Sequence, residues 1–427
     1  MRDLSDQGAQ STGSALLPPR AAVDRVGWRF ILLYAAAYMG TILLFLAPLL
    51  VTLALKIASL VGIDRAPNSL ALVAGVGALV SMVANPFFGR MSDRTISRLG
   101  MRRPWMLAGL ASGALGILIV ALAPSVPVVL VGWCLAQLSF NALQAALVAV
   151  LPDQVPVDQR GSVAGVLGVC LPIASVSGTF LVQLFAGHQL AMFMVPCAIG
   201  GVLVLLFALT LHDRHLVRSS RPTWSLREFA TTFYLSPRKS PDFAWAFASR
   251  FLFVLAYAFL FTYQAYYLVD RLGSAPHEVP KQIFLGTLVQ STVIVAASLL
   301  GGRLSDRTGR RKVFVFAASV VYGSAMFVIA IATDMNGYLV GMAIGGLGFG
   351  LYMAVDLALV VDVLPGTSDA AKNLGVLNIA GALPASVAPA IAPVVLAMGG
   401  GYGLLYAVAG GCAVLAAFAI LRVRSVP

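Results

Sequence analysis

The sequence predicts an all-α membrane protein of twelve transmembrane helices in two pseudo-symmetric six-helix bundles, and three observations carry that prediction. Hydrophobic residues make up 59% of the 427-residue chain and charged residues 11%, with a mean hydropathy of +0.90. Soluble domains carry charge at about a quarter of their positions, so a soluble protein is excluded. Apolar runs near or above the roughly 20 residues that cross a bilayer recur along the whole chain. Finally, a motif is stated twice: Gly89 to Arg103, GRMSDRTISRLGMRR, and Gly302 to Lys312, GRLSDRTGRRK, set Asp93 and Asp306 half a chain apart in the same surroundings. A period that long marks one duplicated half rather than an array of short repeats.

Taken in order, residues 1–26 are polar and lack the apolar core of a signal peptide, so they read as a disordered cytoplasmic tail. Apolar spans follow at about 28–57, 69–91, 104–123, 126–151, 162–186 and 189–211, which make an N-terminal bundle over 27–211. Residues 212–242 form a cytoplasmic linker, whose stretch from Trp224 to Tyr234 has helical apolar spacing. It is either a surface-lying helix or a plain tether. Six more spans, at about 243–269, 281–302, 312–333, 337–363, 371–398 and 402–422, make the C-terminal bundle over 243–422, with 423–427 as a second tail. Pro48, Pro172, Pro196, Pro384 and Pro389 fall inside spans, which membrane helices tolerate where neighbours re-satisfy the freed backbone groups.

Echoes of the repeat extend beyond the motif. Arg29-Phe-Ile-Leu-Leu-Tyr-Ala is answered by Arg250-Phe-Leu-Phe-Val-Leu-Ala, and Asp153-Gln-Val-Pro by Asp362-Val-Leu-Pro. Of 29 Lys and Arg, 24 fall on one side of this topology, while only Lys56, Arg65, Arg271 and Lys281 lie opposite. The positive-inside rule then places both termini and both Ser-Asp-Arg motifs in the cytoplasm of a cell that holds the protein in its (inner) membrane. The net charge of +12 is thereby explained by the lipid bilayer rather than by nucleic acid.

The doubled motif resembles the signature of the major facilitator superfamily, Gly-x-x-x-Asp-Arg-x-Gly-Arg-Arg/Lys, between helices 2 and 3 and between helices 8 and 9. The first copy is longer before its basic pair, and that form, SDRTISRLGMRRPW, resembles the sucrose/proton symporters and, more distantly, the glycoside-pentoside-hexuronide symporters. The resemblance implies the major facilitator fold, with a site at mid-membrane between two halves that rock against each other. It also implies a conformational latch at Asp93, Arg94, Arg103, Asp306, Arg307 and Arg311; the alternative is an ordinary basic loop. In helix 4 the sucrose branch carries an Asp and an Arg where this chain has Gln137 and Val148, so a helix 4 carboxylate is not available for proton coupling.

The polar residues inside the spans are few. Asn141 and Gln144 are three apart and share a helix face, where their amides suit either a hydroxylated ligand or a neighbouring helix. Tyr34, Tyr38 and Thr41 stripe helix 1, and Tyr257 and Gln264 lie on helix 7, giving aromatics and an amide of the kind a sugar site uses. Tyr263, Tyr266 and Tyr267, near the outer end of helix 7, read first as interfacial anchors, with the solute site as the alternative. Arg250 and Asp356 are the ionisable residues set deep in spans 7 and 10. Charges at that depth pair with each other or face a cavity, so they form either a proton-coupling pair or a fixed tie. The glycines of span 10, Gly341, Gly345, Gly346, Gly348 and Gly350, signify close helix packing.

Cys134, Cys170, Cys197 and Cys412 lie in apolar runs, and the four histidines lie at helix ends or in loops. No metal or cofactor is expected, and no catalytic constellation. The function expected is secondary transport of a small organic solute, most simply a sugar or glycoside moved with a proton or another cation. Export of a drug or secondary metabolite is the alternative within transport, and a transporter-like sensor is the alternative outside it.

Overall fold

The computed structural model describes residues 25–215, 241–363 and 379–423. The amphipathic stretch of the linker and the start of span 11 lie outside them. The described residues are helical throughout: α1 Trp28–Val61, α2 Ala66–Asp93, α3 Arg103–Leu122, α4 Val126–Gln154, α5 Val157–Leu184, α6 Gln189–Thr210, α7 Pro241–Asp270, α8 Val279–Thr308, α9 Arg311–Ile331, α10 Met335–Val363, α11 Pro384–Val395 and α12 Gly401–Leu421. Proline in the first turn opens α2, α3, α4, α8 and α11, where its missing N–H costs no helical bond.

Among the described residues, eleven continuous runs are long and apolar enough to cross a membrane. The last, Ile379–Leu421, has 43 residues and would be about twice the hydrocarbon thickness at the helical rise. It breaks at Gly399, φ 87°, and Gly401, φ 55°, so that α11 and α12 are separate crossings.

The predicted pseudo-symmetry appears as matched packing. In the first half α4 packs on α2 and α3, and α6 on α1 and α3; in the second, α10 packs on α8 and α9, and α12 on α7 and α9. Each pair reappears six helices later. The bundles meet through α2 on α11 and α5 on α8, again a matched set.

Lipid tails are as apolar as leucine, so helices in a bilayer associate by close packing and hydrogen bonds rather than by a hydrophobic drive. Helix α10 shows the device. A Cβ on Gly346 would sit 2.6 Å from the Gln290 carbonyl oxygen of α8, and one on Gly348 would sit 2.7 Å from the Tyr322 nitrogen of α9. Only glycine allows both approaches, so one helix is clasped on two sides.

Both ends of the described chain lie on the face that carries the duplicated motif. The Val26 N–H donates to Gln159 Oε1 at the start of α5, and Lys312 Nζ donates to the Val423 carbonyl after α12. The contacts that join the bundles lie toward the opposite face. There α1 has a π-helical turn at Pro48–Thr52, and α7 reaches across to it: Gln264 Nε2 donates to the Leu50 carbonyl at 3.4 Å and the Tyr266 hydroxyl to the Ala54 carbonyl at 2.9 Å. Phe180 of α5 also meets Phe284 of α8, with ring centroids 5.5 Å apart. Toward the motif face the helices diverge, and a Cβ on Gly161, Gly165 or Gly168 of α5 would touch nothing within 4 Å.

One sequence expectation is overturned here. Tyr263, Tyr266 and Tyr267 are not interfacial anchors: all three are at most 1% exposed. Their hydroxyls donate to the carbonyls of Pro389, Ala54 and Ile329 on three different helices. Aromatic position in a span is the same for an anchor and for a buried cross-link; which neighbour lies opposite decides it.

Candidate functional site

A cavity of about 300 Å³ lies at mid-depth between the bundles. Helix α5 lines it with Gly165, Gly168, Pro172 and Ser175, α7 with Tyr257 and Phe261, α8 with Gln290 and Ser291, and α10 with Phe349 and Met353. The bare glycine stripe of α5 makes the room, and the aromatics of the second bundle form the facing wall. Among the described residues that line it, none carries a formal charge. A larger cavity, about 540 Å³, opens at the opposite face and is lined by Thr52, Leu55, Phe193, Tyr266 and His277. It lies outside the Tyr266–Ala54 contact, so it is the closed vestibule and not the central site.

Below the central cavity, α7 and α10 are joined by a ladder of three rungs. Tyr257 stacks on Phe349 with centroids 4.4 Å apart, and Phe253 on Tyr352 at 3.8 Å. Arg250 Nη1 then meets Asp356 Oδ2 at 2.7 Å, with side chains 21% and 9% exposed. Residues 250, 253 and 257 on one helix and 349, 352 and 356 on the other follow the i, i+3, i+7 spacing that keeps a single helix face in register. The charged rung is therefore two turns from the cavity wall. Arg250 Nε is buried without a partner, close to Gly381.

Of the residues expected to bind solute, Tyr257 lines this cavity. Tyr34 does not: it is packed between Phe30 and Phe207, and its hydroxyl donates to the Leu147 carbonyl. Half-buried Tyr38 lies one turn further along α1, and Thr41 bonds its own helix at Ala37. Asn141 donates to the Gln137 carbonyl at 2.8 Å and accepts from Asn85 at 3.3 Å, which ties α4 to α2. Gln144, a turn further on, is half-buried. Gln264 belongs to the closed contact, where it also accepts from Tyr338. Sequence reasoning missed Gln290, Ser291, Phe261 and Phe349. The run Gln290-Ser-Thr within an apolar span was a usable signal for the first two.

The first copy of the motif forms a compact charge cluster, and the arginine at its centre is Arg102, not the expected Arg103. Arg102 is 5% exposed and reaches Asp93 at 2.6 Å and Asp153 at 2.9 Å, and it also bonds the Ser92 hydroxyl. Asp213, just past α6, accepts from the backbone N–H groups of Arg102 and Arg103 at 2.6 and 2.8 Å and so caps α3. That cap requires Gly100, φ 97°, because a Cβ there would collide with the Asp213 carboxylate. The expected Arg103 offers a buried Nε without a partner, as Arg94 offers a buried Nη1. In the second copy Gly309, φ 65°, takes the place of Gly100, which makes Arg311 the counterpart of Arg102. Arg307 is exposed and Arg311 half-buried; the Asp306 side chain lies outside the described residues.

Two half-repeats of six helices around a cavity between them, with the bundles held together by the α1–α7 and α5–α8 contacts at one face, define a membrane transporter of the alternating-access class rather than an enzyme. The sequence profile of the major facilitator superfamily matches residues 30–289 and 280–427, and the chain belongs to that superfamily of secondary transporters. Among curated proteins none matches it. Solved structures share its fold at low identity. A mutant form of the nucleoside transporter NupG is 14% identical with a TM-score of 0.75, covering 92% of this chain and 99% of that one. The peptide transporter POT in complex with sulfate is 14% identical with a TM-score of 0.73, covering 94% and 96%. A POT family transporter in complex with a thioalcohol-conjugated peptide is 11% identical with a TM-score of 0.72, covering 92% and 95%.

Proposed function

We propose that the protein moves an uncharged, hydroxylated organic solute, a sugar or glycoside, together with a proton. The observation that carries this reading is a cavity walled by Tyr257, Phe261 and Phe349, furnished with the amide of Gln290 and the hydroxyls of Ser175 and Ser291, with no charged residue among the described ones that line it. Aromatic faces cover the apolar face of a sugar ring or base, while amides and hydroxyls take its O–H groups. A peptide or other charged solute would be left without a counter-charge there, at a large desolvation cost. Nucleosides, as N-glycosides, fall within this class.

The proton is assigned to Asp356. Protonation would release Arg250 from its partner, and in a poor dielectric the loss of that attraction is a strong local signal. Because α7 and α10 both wall the cavity, a change in their charged rung reaches the solute site through two stacked pairs. With the basic face set toward the cytoplasm, the arrangement described here is the one open inward, and the Gln264 and Tyr266 contacts form the closed outer gate. Export of an apolar compound is the second reading, favoured by the aliphatic share of the lining, Leu171, Ile294, Val295, Leu299 and Met353.

Proteoliposomes with an imposed pH gradient test both readings. Sucrose, uridine and a neutral lipophilic dye are offered in turn. Gradient-driven accumulation of one of the first two supports the proposal, and movement of the dye alone supports export.

A further inference from the structure

Two polar side chains in the second bundle are buried, unpartnered and converge on one spot. Gln290 of α8 is 2% exposed and Tyr322 of α9 is 0% exposed, and neither Gln290 Nε2 nor the Tyr322 hydroxyl has a hydrogen-bond partner among the described residues. Both flank Gly345 of α10, since a Cβ there would lie 3.8 Å from Gln290 Nε2 and 3.8 Å from the Tyr322 ring. Their backbones are held by the close approaches of Gly346 and Gly348. Leaving such groups unpaired is unfavourable, and side chains held this firmly are what a preorganised site requires.

We infer that Gln290 and Tyr322 form a polar subsite at the back of the central cavity that takes one hydroxyl of the solute and so determines its specificity. Gln290 lines the cavity, and Tyr322 lies behind the wall, its ring centroid 6.4 Å from that of Tyr257. The donor pattern selects the ligand group. An amide N–H must find an acceptor, while a phenol both donates and accepts, and a hydroxyl satisfies the two together. An ammonium has nothing to accept with, and a carboxylate would bring a charge that no lining residue balances. The subsite rests on the proposed class of solute and adds which residues read it.

The test measures affinity by thermal stabilisation of the purified full-length chain with sucrose and with uridine. Wild type should be stabilised by one of them. Gln290→Met and Tyr322→Phe should each weaken that binding about tenfold, the worth of one well-made hydrogen bond. Gly345→Ala, which places a methyl on the convergence point, should weaken it as well. Without solute, the melting temperatures of Gln290→Met and Tyr322→Phe should hold or rise, because each removes an unpaired polar group; a merely structural pair would instead lose stability. If wild type binds a probe and both variants bind it with unchanged affinity, the subsite is refuted while the class of solute stands. If wild type binds neither probe, both fall.

Discussion

The pair Arg250 and Asp356 sets the energetic stakes at the scale of single residues. Removing one partner leaves a charge stranded in a poor dielectric at a cost of about 3 to 5 kcal/mol, whereas removing both strands none. Arg250→Met and Asp356→Leu should therefore each lower stability sharply, and the double variant should recover much of the loss in denaturant or thermal unfolding of purified protein. Equal and additive losses would show that the two do not interact. Arg102 makes a similar forecast for the motif. Its contacts with Asp93, Asp153 and Ser92 predict that Arg102→Ala slows solute exchange far more than Arg103→Ala, with solute affinity little changed in both. Exchange rates in proteoliposomes distinguish them, and the reverse order would restore Arg103 to the role. The choice between two adjacent arginines was not legible in the sequence, because it depends on where Gly100 turns the chain and on Asp213, which arrives from the far end of the bundle.

Among the helices, the strongest forecast concerns the contact of α1 with α7. Tyr266→Phe deletes the bond to the Ala54 carbonyl, worth about 1 kcal/mol, and should shift the balance toward the state open at that face by about fivefold. Maleimide labelling of Thr52→Cys, in a background without the native cysteines, reads the shift; an unchanged labelling rate would mean that the bond does not hold the gate. Helix identity and order were legible in the sequence because apolar length is a local property and the duplicated motif fixes where each half repeats. The glycines of α10 were legible as packing residues for the same reason, and the close approaches of Gly346 and Gly348 show what they pack against. The function of each tyrosine was not. Tyr34, Tyr263, Tyr266 and Tyr267 all present an aromatic with a hydroxyl, and only the carbonyl found opposite each one distinguishes the inter-bundle contact from the packed core. Asn141 looked equally apt for solute or for a neighbouring helix, and its bonds to Gln137 and Asn85 join it to the helices.

For the whole molecule, the duplicated sequence becomes duplicated packing, and that symmetry is what lets one half rock on the other about a central cavity. The function, however, is carried by what the halves do not share. The first bundle contributes bare glycines and the Ser175 hydroxyl to the cavity; the second contributes the aromatics and the amide, and carries the charged rung below it. The proposed coupling accordingly lies in the second bundle, with Asp356 proposed as the residue that joins proton movement to solute movement. The most direct measurement is transport by Asp356→Asn in proteoliposomes, with accumulation under an imposed pH gradient and solute exchange at equal pH compared in one preparation. The account predicts that gradient-driven accumulation is lost while exchange persists. Accumulation that survives with its pH dependence unchanged would contradict it.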